Sequence, residues 1–172
     1  LYIRFFKDKG QITEGDKTIT GITAANPAVV TSSSHGYSNG DFVIITGVVG
    51  MTQVNGKTFK VADKTTNTFE LQDVDGTDIN SSAYTAYSSG GIANKIYQIT
   101  TSYTTAQLPD LKFAQSADVM FICHNSHEVS KLSRTGHTSW TLSEVDFAET
   151  GPYLSANTTA TTLTPASSGV GT

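Results

Sequence analysis

The chain has 172 residues, a formal net charge of −4, and 15% charged against 37% hydrophobic residues. Its 11 Lys and Arg are spread thinly, without the basic face that sequence-independent nucleic-acid binding needs, and no apolar run approaches the ~20 residues of a membrane-spanning helix. Thr, Ser, Asn and Gly fill the remainder, and the good helix formers never recur at a helical period, so strands and turns are expected rather than helices. One cysteine excludes an internal disulfide. The start at Leu1 in a strand-like run and the ATTLTPASSGVGT ending are expected of a piece of a longer protein.

In chain order, LYIRFF (1–6) is dense in β-formers and predicts a buried strand. KDKG (7–10) is a polar turn, and QIT (11–13) begins a return strand. A lone hairpin is marginal in water, so this one is expected to dock on something further along.

A composition shift at EGDKT (14–18) opens a run of short strands. They are ITGITA (19–24), AVVTSS (28–33), DFVIITG (41–47), KTFKVA (57–62), TFELQD (68–73) and SGGIAN (89–94). Asn26-Pro27, HGYSNGD (35–41), Asn55-Gly56 and Asp75-Gly76 supply the turns, with Asn55-Gly56 the standard two-residue hairpin signal. Phe59 with Val61, and Phe69 with Leu71, alternate onto one face, as in half-buried strands. Short strands at roughly ten-residue spacing predict a small barrel or sandwich. Residues 79–91 are a polar loop carrying Tyr84 and Tyr87.

KIYQITTSYTTA (95–106) resumes a strand pattern, as if the region from QIT to IYQIT were one strand region interrupted by a module. Folds accept insertions whose ends lie close together. LKFAQS (111–116) places Leu111 and Phe113 on one face, and VMFIC (119–123) is continuously apolar, predicting a strand covered on both faces. HNSHE (124–128) turns, VSKLSR (129–134) returns, TGH (135–137) turns again, and TSWTLSEVDF (138–147) is the last strand. Four antiparallel strands in about forty residues match one β-propeller blade. A single blade needs neighbours to close a core. The expected class is therefore all-β. Residues 1–13 and 95–154 form a blade-like antiparallel sheet, 14–94 an inserted small β-barrel or sandwich module, and 155–172 an extended linker.

Several residue groups suggest chemistry, and each has a simpler explanation. Cys123, His124 and His127 have a metal-like spacing, but neighbouring strand residues face opposite sides, so Cys123 is expected in the core and the histidines in a solvent turn. His137 with Asp118, Ser133 or Ser139 lacks any local hydrolase signature. An apolar strand suppresses the reactivity of the Cys123 thiol. Asp73, Asp75 and Asp78 around Gly76 echo a calcium loop without its distal glutamate. Glu144, Asp146 and Glu149 offer paired carboxylates, as glycoside hydrolysis needs, or a solvated strand edge. No catalytic, metal or cofactor residues are assigned. Tyr37, Tyr84 and Tyr87 are the candidate binding surface, as platforms for a sugar or a partner.

Residues 96–154 carry a recognisable succession: LPDLKFAQSAD, a strand ending in His124, KLSRTG, WTLSEVDF and GPYL. This succession, with LYIRFFKDKGQI before it, resembles tail proteins of short-tailed bacteriophages and prophages, of the nozzle or tail tubular B kind. NSHEVS (125–130) replaces the proline-rich turn usual there. The resemblance implies β-propeller elements, a virion location, a non-enzymatic structural role, and a cyclic homo-oligomer, such as a hexamer, around the DNA exit channel. HGYSNGDFVIITGVVG, VNGKTFKV and TFELQDVDG (35–76) resemble small β modules of phage tail and fibre proteins, named after the first catalytic-cysteine half-domain of ubiquitin-activating enzymes. No cysteine lies in 19–93, so thioester chemistry is not implied. The expected partners are other tail subunits; the alternative is a carbohydrate- or receptor-binding module that meets a host surface glycan.

Overall fold

A computed structural model describes residues 1–146. The earlier expectations for 147–154 and for the linker 155–172 lie outside the described residues. The described strands are β1 (Tyr2–Arg4), β2 (Phe6–Lys7), β3 (Gly10–Gln11), β4 (Thr13–Thr18), β5 (Gly21–Ile22), β6 (Val29–Thr31), β7 (Phe42–Val49), β8 (Lys57–Ala62), β9 (Thr68–Gln72), β10 (Ser89–Ile96), β11 (Gln98–Thr100), β12 (Lys112–Ser116), β13 (Val119–His124), β14 (His127–Gly136) and β15 (Ser139–Glu144). Among the described residues, helix is confined to two 3-10 segments, Thr52–Val54 and Thr105–Asp110. The protein is all-β and its ladders are antiparallel.

The larger sheet runs β4-β10-β7-β8-β9-β6-β5. Its strands follow the side-chain alternation of the sequence. In β8, Phe59 and Val61 are buried while Lys57 is exposed; in β9, Phe69 and Leu71 are buried. These side chains meet Val30, Val43, Ile45, Met51 and Val54 in one core. Fully burying a side chain the size of Phe69 or Leu71 contributes about 1.5–3 kcal/mol. The edges β4 and β5 are successive stretches of the same chain. Between them the Ile19 amide donates to the Gly91 carbonyl and the Thr20 amide to that of Thr31, each at 2.9 Å. No closed barrel ladder and no propeller is present among the described residues.

Asn55-Gly56 does not make the expected two-residue hairpin. Asn55 is extended (φ −68°, ψ 136°) and Gly56 has φ 73°, the pattern of a type II turn that follows the 3-10 segment. The Asn55 side chain accepts from the Val48 amide (2.9 Å) and donates to the Val48 carbonyl (2.8 Å). It thereby acts as a strand partner for a residue that β8 does not reach.

Entry and exit of this sheet lie side by side. Thr13 pairs with Ile96, and the Tyr97 amide donates to the Ile12 carbonyl at 2.9 Å. Just outside, Ile3 pairs with Ile99 and Arg4 with Gln98. The β2-β3 hairpin turns at Asp8 and Lys9, with φ of 51° and 68°. Positive φ at both central residues is the requirement of a type I′ turn.

The remaining strands form a meander, β12-β13-β14-β15. Its core joins Ile122 and Leu132 to Phe5, Tyr97 and Tyr103. The hairpin thus docks on the meander, with the Phe5 ring stacked on Trp140 at a 4.2 Å centroid distance. Three expectations fail here. VMFIC is not covered on both faces: Ile122 is buried, but Val119, Met120, Phe121 and Cys123 are half-buried, because a single meander has one packed face. Cys123 is therefore not a core residue. LYIRFF is not uniformly buried either, since Leu1, Tyr2 and Phe6 are exposed while Phe5 faces inward.

Candidate functional site

The three tyrosines expected to form a binding surface are tied into the module. Tyr37 is 3% exposed, and its hydroxyl donates to the Ala93 carbonyl at 2.7 Å. Its ring meets Phe69 edge-on and tilts against His35. Burial, followed by the charges of Asp41 and Asp16, pushes the phenol far above its ordinary value. Tyr37 is a core residue and offers no ring face to a ligand. Tyr84 and Tyr87 are half-buried and pack against the same core. The Tyr87 hydroxyl, with one proton to donate, lies within hydrogen-bond distance of the carbonyls of Gly90 (2.9 Å) and Ile19 (3.1 Å). The ring of Tyr84 and the ring and hydroxyl of Tyr87 anchor the 79–91 loop on this core.

The other groups are also placed. His124 Nδ1 accepts from the Ser126 amide at 3.0 Å, His127 Nε2 lies 3.1 Å from Gln107 Oε1, and the Tyr103 ring meets His127 edge-on. Among the described residues, no group of three or more His, Cys, Asp and Glu is placed to hold a metal ion. Asp73 Oδ1 accepts from the amides of Asp75 (3.0 Å) and Thr77 (2.9 Å), which makes it the organiser of the Asp75-Gly76 turn. Glu70 has its carboxyl held above the ordinary value, by desolvation first and then by Asp63 and Asp78.

His137 is not joined to a serine. Its Nδ1 lies 3.1 Å from Arg134, which also pairs with Asp118 at 3.1 Å, while the Ser139 hydroxyl lies 2.7 Å from that of Thr135. Glu144 and Asp146 are exposed beside a shallow depression that His127 and Glu128 also line. Glu149 lies outside the described residues.

Two concave surfaces stand out. An apolar groove of about 330 Å³ runs over the meander, lined by Leu1, Tyr2, Leu108, Leu111, Phe113 and Met120 among others. Phe113 is 61% exposed, and every residue of β12 is exposed. On the hairpin side lies a second, mixed cleft of about 550 Å³, between the β2-β3 hairpin, the Ala117-Asp118 turn and the Trp140 region. Neither surface was legible in the sequence, because each gathers residues from three separate stretches.

Residues 25–96 match the family model of the ubiquitin-activating enzyme E1 FCCH domain. The matched span contains β6 to β10, and so most of the seven-stranded sheet. It excludes Cys123, the chain's one cysteine, and therefore holds no thiol for thioester chemistry. No curated protein matches the chain.

Proposed function

We propose that the chain is a non-enzymatic structural part of a phage tail, within the nozzle or distal ring, and belongs to a longer protein. In this reading the meander is one blade-like unit of a propeller. The FCCH-like sheet is a small barrel-like module inserted beside it. The single observation that carries the reading is the apolar groove over the meander, with Leu1, Tyr2, Leu108 and Phe113 exposed at it. Contiguous exposed apolar surface of this kind marks interaction sites. A four-stranded unit packed on one face is what a blade lacking its neighbour presents. The exposed β12 edge, Lys112–Ser116, adds unpaired backbone groups to the same surface.

Assembly is the mechanism: apolar docking on the groove, with edge pairing, joins tail subunits into a cyclic homo-oligomer such as a hexamer, in the virion. The intact parent protein is expected to run as a closed ring by mass measurement under assembly conditions. Monomer alone under those conditions overturns the reading. The alternative, a glycan- or receptor-binding module using Tyr37, Tyr84 and Tyr87, is less well supported, since Tyr37 is buried and Tyr84 and Tyr87 are half-buried against the module core.

A further inference from the structure

We infer that the mixed cleft between the β2-β3 hairpin and the meander binds a saccharide carrying a carboxylate. The site stands apart from the tail-assembly reading and uses none of the apolar groove's exposed residues Leu1, Leu108 and Phe113. Its centre is Arg134. The guanidinium is held from three sides: NH1 on Asp118 Oδ1 at 3.1 Å, NH2 beside His137 Nδ1 at 3.1 Å, and Cζ 5.9 Å from the Trp140 ring. Trp140 is itself fixed, with its indole N–H donating to the His137 carbonyl at 3.0 Å and Phe5 stacked on its ring. A guanidinium has five N–H donors, so two such contacts leave donors for a ligand. Planar, preorganised donors of this kind recognise a carboxylate through paired hydrogen bonds.

The rest of the lining suits a sugar. Phe6 is 68% exposed on a hairpin with little else to pack on, and gives an apolar face to the C–H side of a pyranose. Gln115 and Asp118 are exposed and supply acceptors for hydroxyl groups. Arg4 and Lys7 add further positive charge, Lys7 from an exposed pair with Asp8 at 3.6 Å. The Asp118 carboxylate disfavours a multiply charged phosphate and tolerates a singly charged, hydroxyl-rich ligand. A volume of about 550 Å³ fits one or two sugar rings.

Trp140 is the chain's one tryptophan and lines this cleft, so its emission responds to occupancy there. The 172-residue chain is titrated with a glucuronic-acid disaccharide, an uncharged glucose disaccharide and inorganic phosphate, following Trp140 emission and backbone amide shifts. The expected result is saturable binding of the acidic disaccharide in about the millimolar range, and none of the other two. Arg134→Gln is expected to weaken it about tenfold or more, and Phe6→Ala, at an exposed position, several-fold with an unchanged melting curve. Equal response to phosphate, equal response to the uncharged sugar, no saturable response in either readout, or unaltered binding by Phe6→Ala each overturns the assignment.

Discussion

The hydroxyl of Tyr37 donates a 2.7 Å hydrogen bond to the carbonyl of Ala93, 56 residues away and buried. It ties the loop before β7 to the middle of β10, the strand that carries the chain out of the module. Tyr37→Phe is expected to cost about 1–2 kcal/mol, the range for a buried hydrogen bond whose acceptor loses its partner. The cost also depends on pH. The folded phenol titrates above its unfolded value, by burial first and then by Asp41 and Asp16. Folding therefore binds the neutral form, and the stabilisation is complete below about pH 10 and is lost as pH rises past that value. Denaturant titrations should show wild type and Tyr37→Phe converging above about pH 10; a pH-independent gap would remove the explanation.

Glu70 lies at the opposite pole of the same logic. Its carboxyl is held above its ordinary value by desolvation, then by Asp63 and Asp78, so charging it opposes folding. That penalty is absent below the unfolded carboxyl value and grows as pH rises through the folded one. Glu70→Gln is expected to raise the melting temperature at neutral pH and to leave it unchanged at about pH 3, below both values. An equal shift at both pH values would assign the effect to packing.

Gly50 allows no side chain. Its φ is +87°, and a Cβ there would overlap the Ala86 carbonyl oxygen and lie 2.8 Å from the Ser88 nitrogen. Gly50→Ala therefore combines backbone strain with collision against the loop that leads into β10. Destabilisation by about 2 kcal/mol or more is expected in chemical denaturation. Gly40→Ala is the control for the φ contribution alone, since nothing lies within 4 Å of its Cβ position.

Leu108→Ser and Phe113→Ser remove exposed apolar groups from the groove. Each is expected to change the chain's own stability by no more than about 0.5 kcal/mol, as for surface substitutions. If the parent protein assembles as proposed, together they should abolish its ring formation in size-exclusion and mass measurements. Unimpaired assembly would show that the groove is not where subunits meet.

The readable parts of the sequence were those with a side-chain period. Phe59, Val61, Phe69 and Leu71 announced β8 and β9, and both strands lie where the alternation put them. β4, with the sequence TEGDKT, had no such pattern, because it is an edge strand held by its ladder to β10 rather than by burial. VMFIC misled on coverage: apolar content reports what a face can pack against, and this meander has one packed face among the described residues. Tyr37 sits in a turn-like stretch between Gly36 and Ser38, small or polar neighbours that predict a surface residue, yet its ring meets Phe69 and His35. Asn55-Gly56 carried the letters of a tight hairpin, but Asn55 spends its amide on Val48, a contact that no local rule encodes.

Ile12 and Tyr97 are joined by a backbone hydrogen bond directly beneath the Thr13–Ile96 pair, so the outer strands already sit at bonding distance where the module leaves them. The intervening stretch is thus a cassette with a built-in seam. Recombination could remove it or exchange it for another unit with adjacent ends, and a short turn would close the gap without moving Phe5 or Tyr97 off Trp140. Such a seam would let the seven-stranded sheet be exchanged while the meander and its groove are inherited unchanged.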